Sequence, residues 1–186
     1  MDDARVPAPP GPPGPARPLR VLVDQPEIPG NTGNLIRLAA VTGVELHLAG
    51  PIGFDFSDAK LRRAGLDYHD LAVMSVHESF DAACAALRPE RMFAFTGEGR
   101  SQHTSIEYRA GDVLLFGRES TGLDPWVKTD PRVTDTVRIP MLPSRRSLNL
   151  ANSVSIAVYE AWRQDGFASA SSPGHDSPGP RGIVPD

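Results

Sequence analysis

Between Leu19 and Gln164 the chain alternates repeatedly between short apolar runs and longer segments whose apolar residues recur at helical spacing. This alternation restricts the fold more than any other feature. Strands joined through helices lie parallel, and a parallel sheet must be covered on both faces. Leu19–Val23, Val44–Ala49, Leu71–Val76, Met92–Thr96, Val113–Phe116 and Thr136–Ile139 read as strands. Helices are expected over about residues 33–42, 57–64, 78–87 and 149–164. Asn31 or Thr32 caps the first and Ser57 the second; Gly43, Gly65 and Pro89 mark helix ends. The expected architecture is α/β, a mainly parallel sheet with helices on both faces.

The ends are different in kind. Residues 1–18 hold seven prolines and no apolar periodicity, and residues 168–186 are rich in Ser, Pro and Gly. Neither can bury enough apolar surface to offset the entropy of ordering, so both are expected to be disordered, leaving one domain over 19–167. Setting aside the three basic and four acidic residues of the ends leaves 16 basic against 19 acidic. Such a balance excludes global attraction to phosphate, so any RNA contact must use a local patch. Lys60–Arg63 and Arg145–Arg146 are the candidates. Cys84 is the only cysteine and reads as a small buried hydrophobe. The five histidines have neither HxxxH spacing nor cysteine partners, so no metal site is expected. No apolar signal core or membrane-length run occurs, and the expected location is the cytoplasm.

Ligands of open parallel sheets gather outside the carboxyl ends of the strands. The loops Asp24–Thr32, Thr96–Gly99 and Gly117–Gly122 each follow a strand end and, with Pro140–Asn149, are expected to converge. Three motifs lie there. Pro29-Gly-Asn-Thr-Gly-Asn-Leu-Ile-Arg37 pairs a glycine-rich turn with an arginine one turn into a helix. Phe116-Gly-Arg-Glu-Ser-Thr-Gly-Leu123 sets two glycines around the carboxylate Glu119. Ile139-Pro-Met141 leads to a third, in which Ser147, Asn149, Asn152, Ser153 and Ser155 crowd the start of an apolar helix, more than capping alone requires. The phosphate loop, the dinucleotide fingerprint and the GxSxG elbow are all absent.

In this order the three motifs resemble those of the SPOUT RNA methyltransferases. Leu61–His69 and Val158–Gln164 narrow the resemblance to the small enzymes that methylate the wobble ribose, C34 or U34, of leucine tRNAs. The resemblance implies a C-terminal trefoil knot, S-adenosylmethionine as the cofactor without a metal, and a homodimer. It assigns cofactor contacts to Phe95, Thr96, Gly97, Gly117, Glu119, Ile139, Met141, Ser147 and Leu148. It assigns the catalytic role to Arg37; Asn31 and Ser147 or Asn149 are then expected to position Arg37 and the ribose, and Glu119 to hold its loop or to face the cofactor's positive charge. Arg62, Arg63 and Tyr159 are further candidates for RNA contact. Arg118 departs from the pattern, standing where relatives carry proline, and is expected to add a phosphate contact or to loosen its loop. Two other readings remain open: a SPOUT enzyme acting on another tRNA position or on rRNA, and a catalytically silent RNA-binding protein of the same fold.

Two physical arguments stand beside the resemblance. A guanidinium stays protonated at accessible pH, so Arg37 can anchor a phosphate and stabilise an alkoxide but is a poor base. In the last helix Leu150, Val154, Ile156, Ala157, Val158, Ala161 and Trp162 spread over more than one face, as a helix shared between core and partner would.

Overall fold

A computed structural model describes residues 18–54, 74–144 and 147–168. Seven strands form one sheet: β1 (Arg20–Asp24), β2 (Glu45–Ala49), β3 (Met74–His77), β4 (Met92–Phe95), β5 (Ser101–Gln102), β6 (Val113–Phe116) and β7 (Asp135–Arg138). Their spatial order is β3-β2-β1-β6-β4-β7-β5, and each pairing is parallel. The chain builds outward from β1 to β2 and β3, then fills the other side, so the order reverses beside β1 and β6. Strands β1, β4 and β6 are buried at every position, which is why they read as continuous apolar runs.

Helices α1 (Pro29–Thr42) and α4 (Leu150–Gln164) pack together on one face. They cover Val21, Val23, Leu46, Leu48, Leu114 and Phe116. Helices α2 (Phe80–Leu87) and α3 (Pro125–Lys128) cover the other face, over Leu22, Met92, Ala94, Val113 and Leu115. Cys84 of α2 lies in this second layer, where burial pushes its thiol up to about 11, so it packs as a hydrophobe. The amino end of the sheet is tied by charge. Arg20, itself buried, donates to the carbonyls of Leu87 (2.7 Å) and Gly111, and Arg91 forms a two-point pair with Asp112.

The differences from expectation have local causes. Helix α1 starts at Pro29, four residues early, because proline's missing N–H costs nothing in a first helical turn. Asn31 and Thr32 are therefore buried inside the helix, and the N-cap is Ile28, which has no side chain able to cap. Gly43 ends α1 as expected, left-handed at φ 75°, its N–H donating to Ala39 O. Strand β5 and helix α3 are too short to show a period. In α4, Leu150, Ala151, Val154, Ala157, Val158 and Ala161 are buried, while Ile156 and Tyr159 face solvent. The expected helix over 57–64, with Arg62 and Arg63, lies outside the described residues, as do Arg145 and Arg146 and nearly all of both ends.

One glycine is fixed by a close crossing. A Cβ on buried Gly99 would lie 2.2 Å from the carbonyl carbon of Val137 and 2.6 Å from the amide of Arg138. At Gly97 the nearest atom would be the flexible Met141 Cε, at 3.9 Å. Gly99→Ala is expected to cost about 2–3 kcal/mol of unfolding free energy because backbone must move. Gly97→Ala should cost under about 1 kcal/mol. Chemical denaturation of both variants checks this pair, and equal losses would contradict it.

Candidate functional site

The carboxyl ends of β1, β6, β4 and β7, adjacent in the sheet, open into one cleft of about 590 Å³. Phe95 and Phe116, from neighbouring strands, stack at 4.6 Å in its lining. Thr96 and Gly97 follow β4, Gly117–Leu123 follow β6, and Ile139 and Met141 follow β7. Ser147–Leu150 and Ser153 close the cleft from the start of α4, and Ile28 and Asn31 from the start of α1. The lining therefore mixes aromatic and aliphatic surface with hydroxyls, amides and backbone, the composition of a small-molecule site.

Glu119 organises these walls. Its carboxylate accepts from the backbone N–H of Glu27 (2.8 Å) and of Ile28 (3.2 Å), and from Asn31 Nδ2 (3.0 Å). A negative group beside the first turn of α1 suits the helix dipole and supplies the acceptor that Ile28 lacks. Asn31 Oδ1 in turn accepts from Asn149 Nδ2 at 2.9 Å. Asn149 also caps α4, its Oδ1 accepting from the Asn152 N–H at 3.2 Å. One chain of hydrogen bonds thus joins all three motifs.

Arg118 neither loosens its loop nor stands unengaged. It pairs with Asp124 (2.7 Å) and donates to Gln25 Oε1 (3.2 Å), fastening the loop base to α3 and to the end of β1. Gly117 packs so tightly on the Gly122–Leu123 backbone that a Cβ would meet it at 2.2 Å, so position 117 tolerates no side chain. Beneath it lies Asp24, 2% exposed, whose carboxyl burial pushes up to about 6 against the pull of Arg118.

Each of the nine residues expected to hold the cofactor lines this cleft, and so do Asn31 and Asn149. Arg37 does not. It lies on the exposed stripe of α1, with Asn34, Ala40 and Val41, while Asn31, Leu35 and Leu38 face inward. Tyr159 is also away from the lining, on the outer face of α4 with its ring edge-on to Trp162 (5.7 Å). Ser120, Thr121 and Lys128 line the cleft without having been singled out for it, and Ser153, read as part of the crowded helix start, joins them. Ser120 and Thr121 were legible from their place between Gly117 and Gly122, whereas Lys128 arrives through the short α3.

The chain is similar to known proteins over most of its length. The model of the SpoU rRNA methylase family matches residues 18–159. A tRNA (cytidine(34)-2'-O)-methyltransferase of Methylovorus glucosotrophus is 53% identical over 146 residues, covering 78% of this chain and 95% of that protein. Its counterpart in Escherichia coli strain K12 is 47% identical over 146 residues, with 78% and 93% covered. A solved structure concerned with 2-OH methylation of C/U34 on tRNA superposes with a TM-score of 0.74 at 47% identity, covering 82% of this chain and 93% of that one. The SpoU methyltransferase AviRb of Streptomyces viridochromogenes, in complex with AdoMet, gives a TM-score of 0.68 at 30% identity, covering 82% and 60%.

Two stability measurements follow from this geometry. Glu119→Ala leaves the start of α1 without its acceptor and should lower unfolding free energy by about 1–3 kcal/mol. Asp24 binds its proton more tightly in the fold than in the unfolded chain, so its ionisation lowers stability as pH rises from about 4 to about 6. Asp24→Asn should therefore stabilise by about 1–2 kcal/mol at pH 7.5 and by nothing below about pH 4. A gain independent of pH would contradict this burial effect.

Proposed function

The chain belongs to the SpoU methylase family, and from that premise we propose that it transfers the methyl group of S-adenosylmethionine to the ribose 2′-hydroxyl of nucleotide 34, the wobble position, of leucine tRNAs. The observation that carries this reading is the convergence of Phe95–Gly97, Gly117, Glu119, Ile139, Met141, Ser147 and Leu148 on one cleft of about 590 Å³. Identity of 47–53% over nearly the whole length of position-34 enzymes favours that substrate over the rRNA of more distant members. The same reading puts the work in the cytoplasm, with tRNA. Among the described residues no helix is long and apolar enough to cross a membrane.

The cleft fits the methyl donor in size and chemistry. Phe95, Phe116, Ile139 and Leu148 offer apolar surface for a nucleoside, and Gly97 leaves its side of the cleft open to close backbone approach. When bound, S-adenosylmethionine supplies an electrophilic methyl on a positively charged sulfur. The chain's task is to align the ribose oxygen with that methyl and to ease the loss of the hydroxyl proton. Asn31 and Asn149, locked to each other and to Glu119, present fixed amides at the mouth, and Ser147 adds a hydroxyl beside them. Arg37 anchors the adjoining phosphate and stabilises the forming alkoxide, and the proton passes to phosphate or water.

Arg37 stands on the outer stripe of α1, which supports a site completed across a homodimer. Val41 on α1 and Ile156 and Tyr159 on α4 are exposed apolar groups on the same helix pair, and their burial between two copies would set Arg37 of one protomer near the cleft of the other. Arg62 and Arg63 remain candidates for tRNA contact, whereas Tyr159, first grouped with them, is assigned to the seam between protomers. The trefoil knot belongs to this reading too, supported by the close pass of Gly99 under Val137 and Arg138.

The test is incubation with labelled S-adenosylmethionine and total tRNA, with the modified ribose mapped in each species. Label at ribose 34 of leucine tRNAs is expected; label on a base or at another position would sink the assignment. Arg37→Lys should keep donor affinity while losing about 100-fold or more in turnover. Unchanged turnover would remove Arg37 from the mechanism.

A further inference from the structure

Glu27 sits on the turn between β1 and α1, outside the cleft lining, yet its carboxylate is spent on the opposite wall. Its Oε2 accepts from the Ser120 N–H at 3.0 Å and its Oε1 from the Ser120 hydroxyl at 2.9 Å. In return the backbone N–H of Glu27 donates to Glu119. Side chain to backbone in both directions is the pattern of a capping box, made here between segments 93 residues apart. The base of the 117–122 wall is fixed by the packing of Gly117 and by the Arg118–Asp124 pair. Its tip, Ser120 and Thr121, is exposed, and Ser120 gives both its amide and its hydroxyl to Glu27. The two acids have different loads: Glu119 holds Asn31 and thereby Asn149, whereas the Glu27 side chain holds the wall alone.

We propose that Glu27 is a positioning residue for the methyl-donor half of the site, setting the Ser120–Thr121 tip of the wall through Ser120 without touching the ligand. This rests on the reading of the cleft as an S-adenosylmethionine site. Losing Glu27 lets the wall tip wander, which weakens donor binding but leaves α1, Asn31 and Asn149 in place for the bound complex. The Ser120 bonds also hold the Glu27 carboxyl below its usual range, so the latch keeps its charge to a lower pH than a free glutamate would.

The experiment measures S-adenosylmethionine and S-adenosylhomocysteine affinity by calorimetry on the full chain, and kcat and KM with tRNA. The variants are Glu27→Ala, Glu27→Gln and Ser120→Ala. Glu27→Ala should weaken both ligands about 5- to 20-fold, raise the donor KM in parallel and leave kcat within about twofold. The KM increase should be the same from pH 6.5 to 9. Glu27→Gln keeps an acceptor for the Ser120 amide and should recover part of the loss. Wild-type affinity in Glu27→Ala, or a fall in kcat as large as the rise in KM, would overturn the proposal. Should Glu27→Ala fail to fold, Ser120→Ala loses only the hydroxyl bond and must still weaken binding about two- to threefold; no change overturns the proposal. A wild-type chain that binds neither ligand overturns the methyl-donor reading itself.

Discussion

The carboxylate of Glu119 is the interaction on which the rest of the site depends. Helix α1 begins on a proline preceded by Ile28, a start with no side chain to meet its free amides. A residue 91 positions away supplies the acceptor instead. Because the same carboxylate holds Asn31, the helix cannot be capped without also fixing an amide at the mouth of the cleft. Asn149 repeats the device, capping α4 while donating to Asn31. Helix-end satisfaction and site assembly are thus one set of bonds, and the cleft's geometry inherits the stability of the helices.

The sheet provides what these bonds fasten to. Four adjacent parallel strands, β1, β6, β4 and β7, end on the same side, so the loops leaving them have one place to meet. Glycine is required where backbone meets backbone, at Gly99 against Val137 and at Gly117 against Gly122. Arg118, set in the second motif, reinforces the loop through Asp124 and Gln25.

The sequence carried the sheet well because its strands are buried on both faces, so Val21–Val23 and Val113–Phe116 announce themselves as apolar runs. The cleft was legible for a related reason: its residues follow directly after such runs, as Thr96 follows β4 and Gly117 follows β6. What sequence could not convey was the direction of each side chain. Glu119 read as a cofactor contact that either holds its loop or faces the cofactor's charge; it lines the cleft, and its oxygens turn to the start of α1, tying the loop there. Asn31 read as a cap and as a positioning residue; it lies inside the helix rather than capping it, as a buried link between Glu119 and Asn149. Arg37, one turn into its helix, read as part of the site, yet helical rotation carries it to the outer stripe. Glu27 gave no local signal at all, because its partner is distant in the chain and the bond exists only once both loops are folded.

The most direct test is the structure of the full chain bound to S-adenosylhomocysteine. The ligand should lie in the cleft against residues 95–97, 117, 139–141 and 147–148, with Glu119 still bonded to the Glu27 amide and Asn31. A ligand bound elsewhere, or a Glu119 carboxylate that leaves α1 to meet it, would contradict the central role given to that residue.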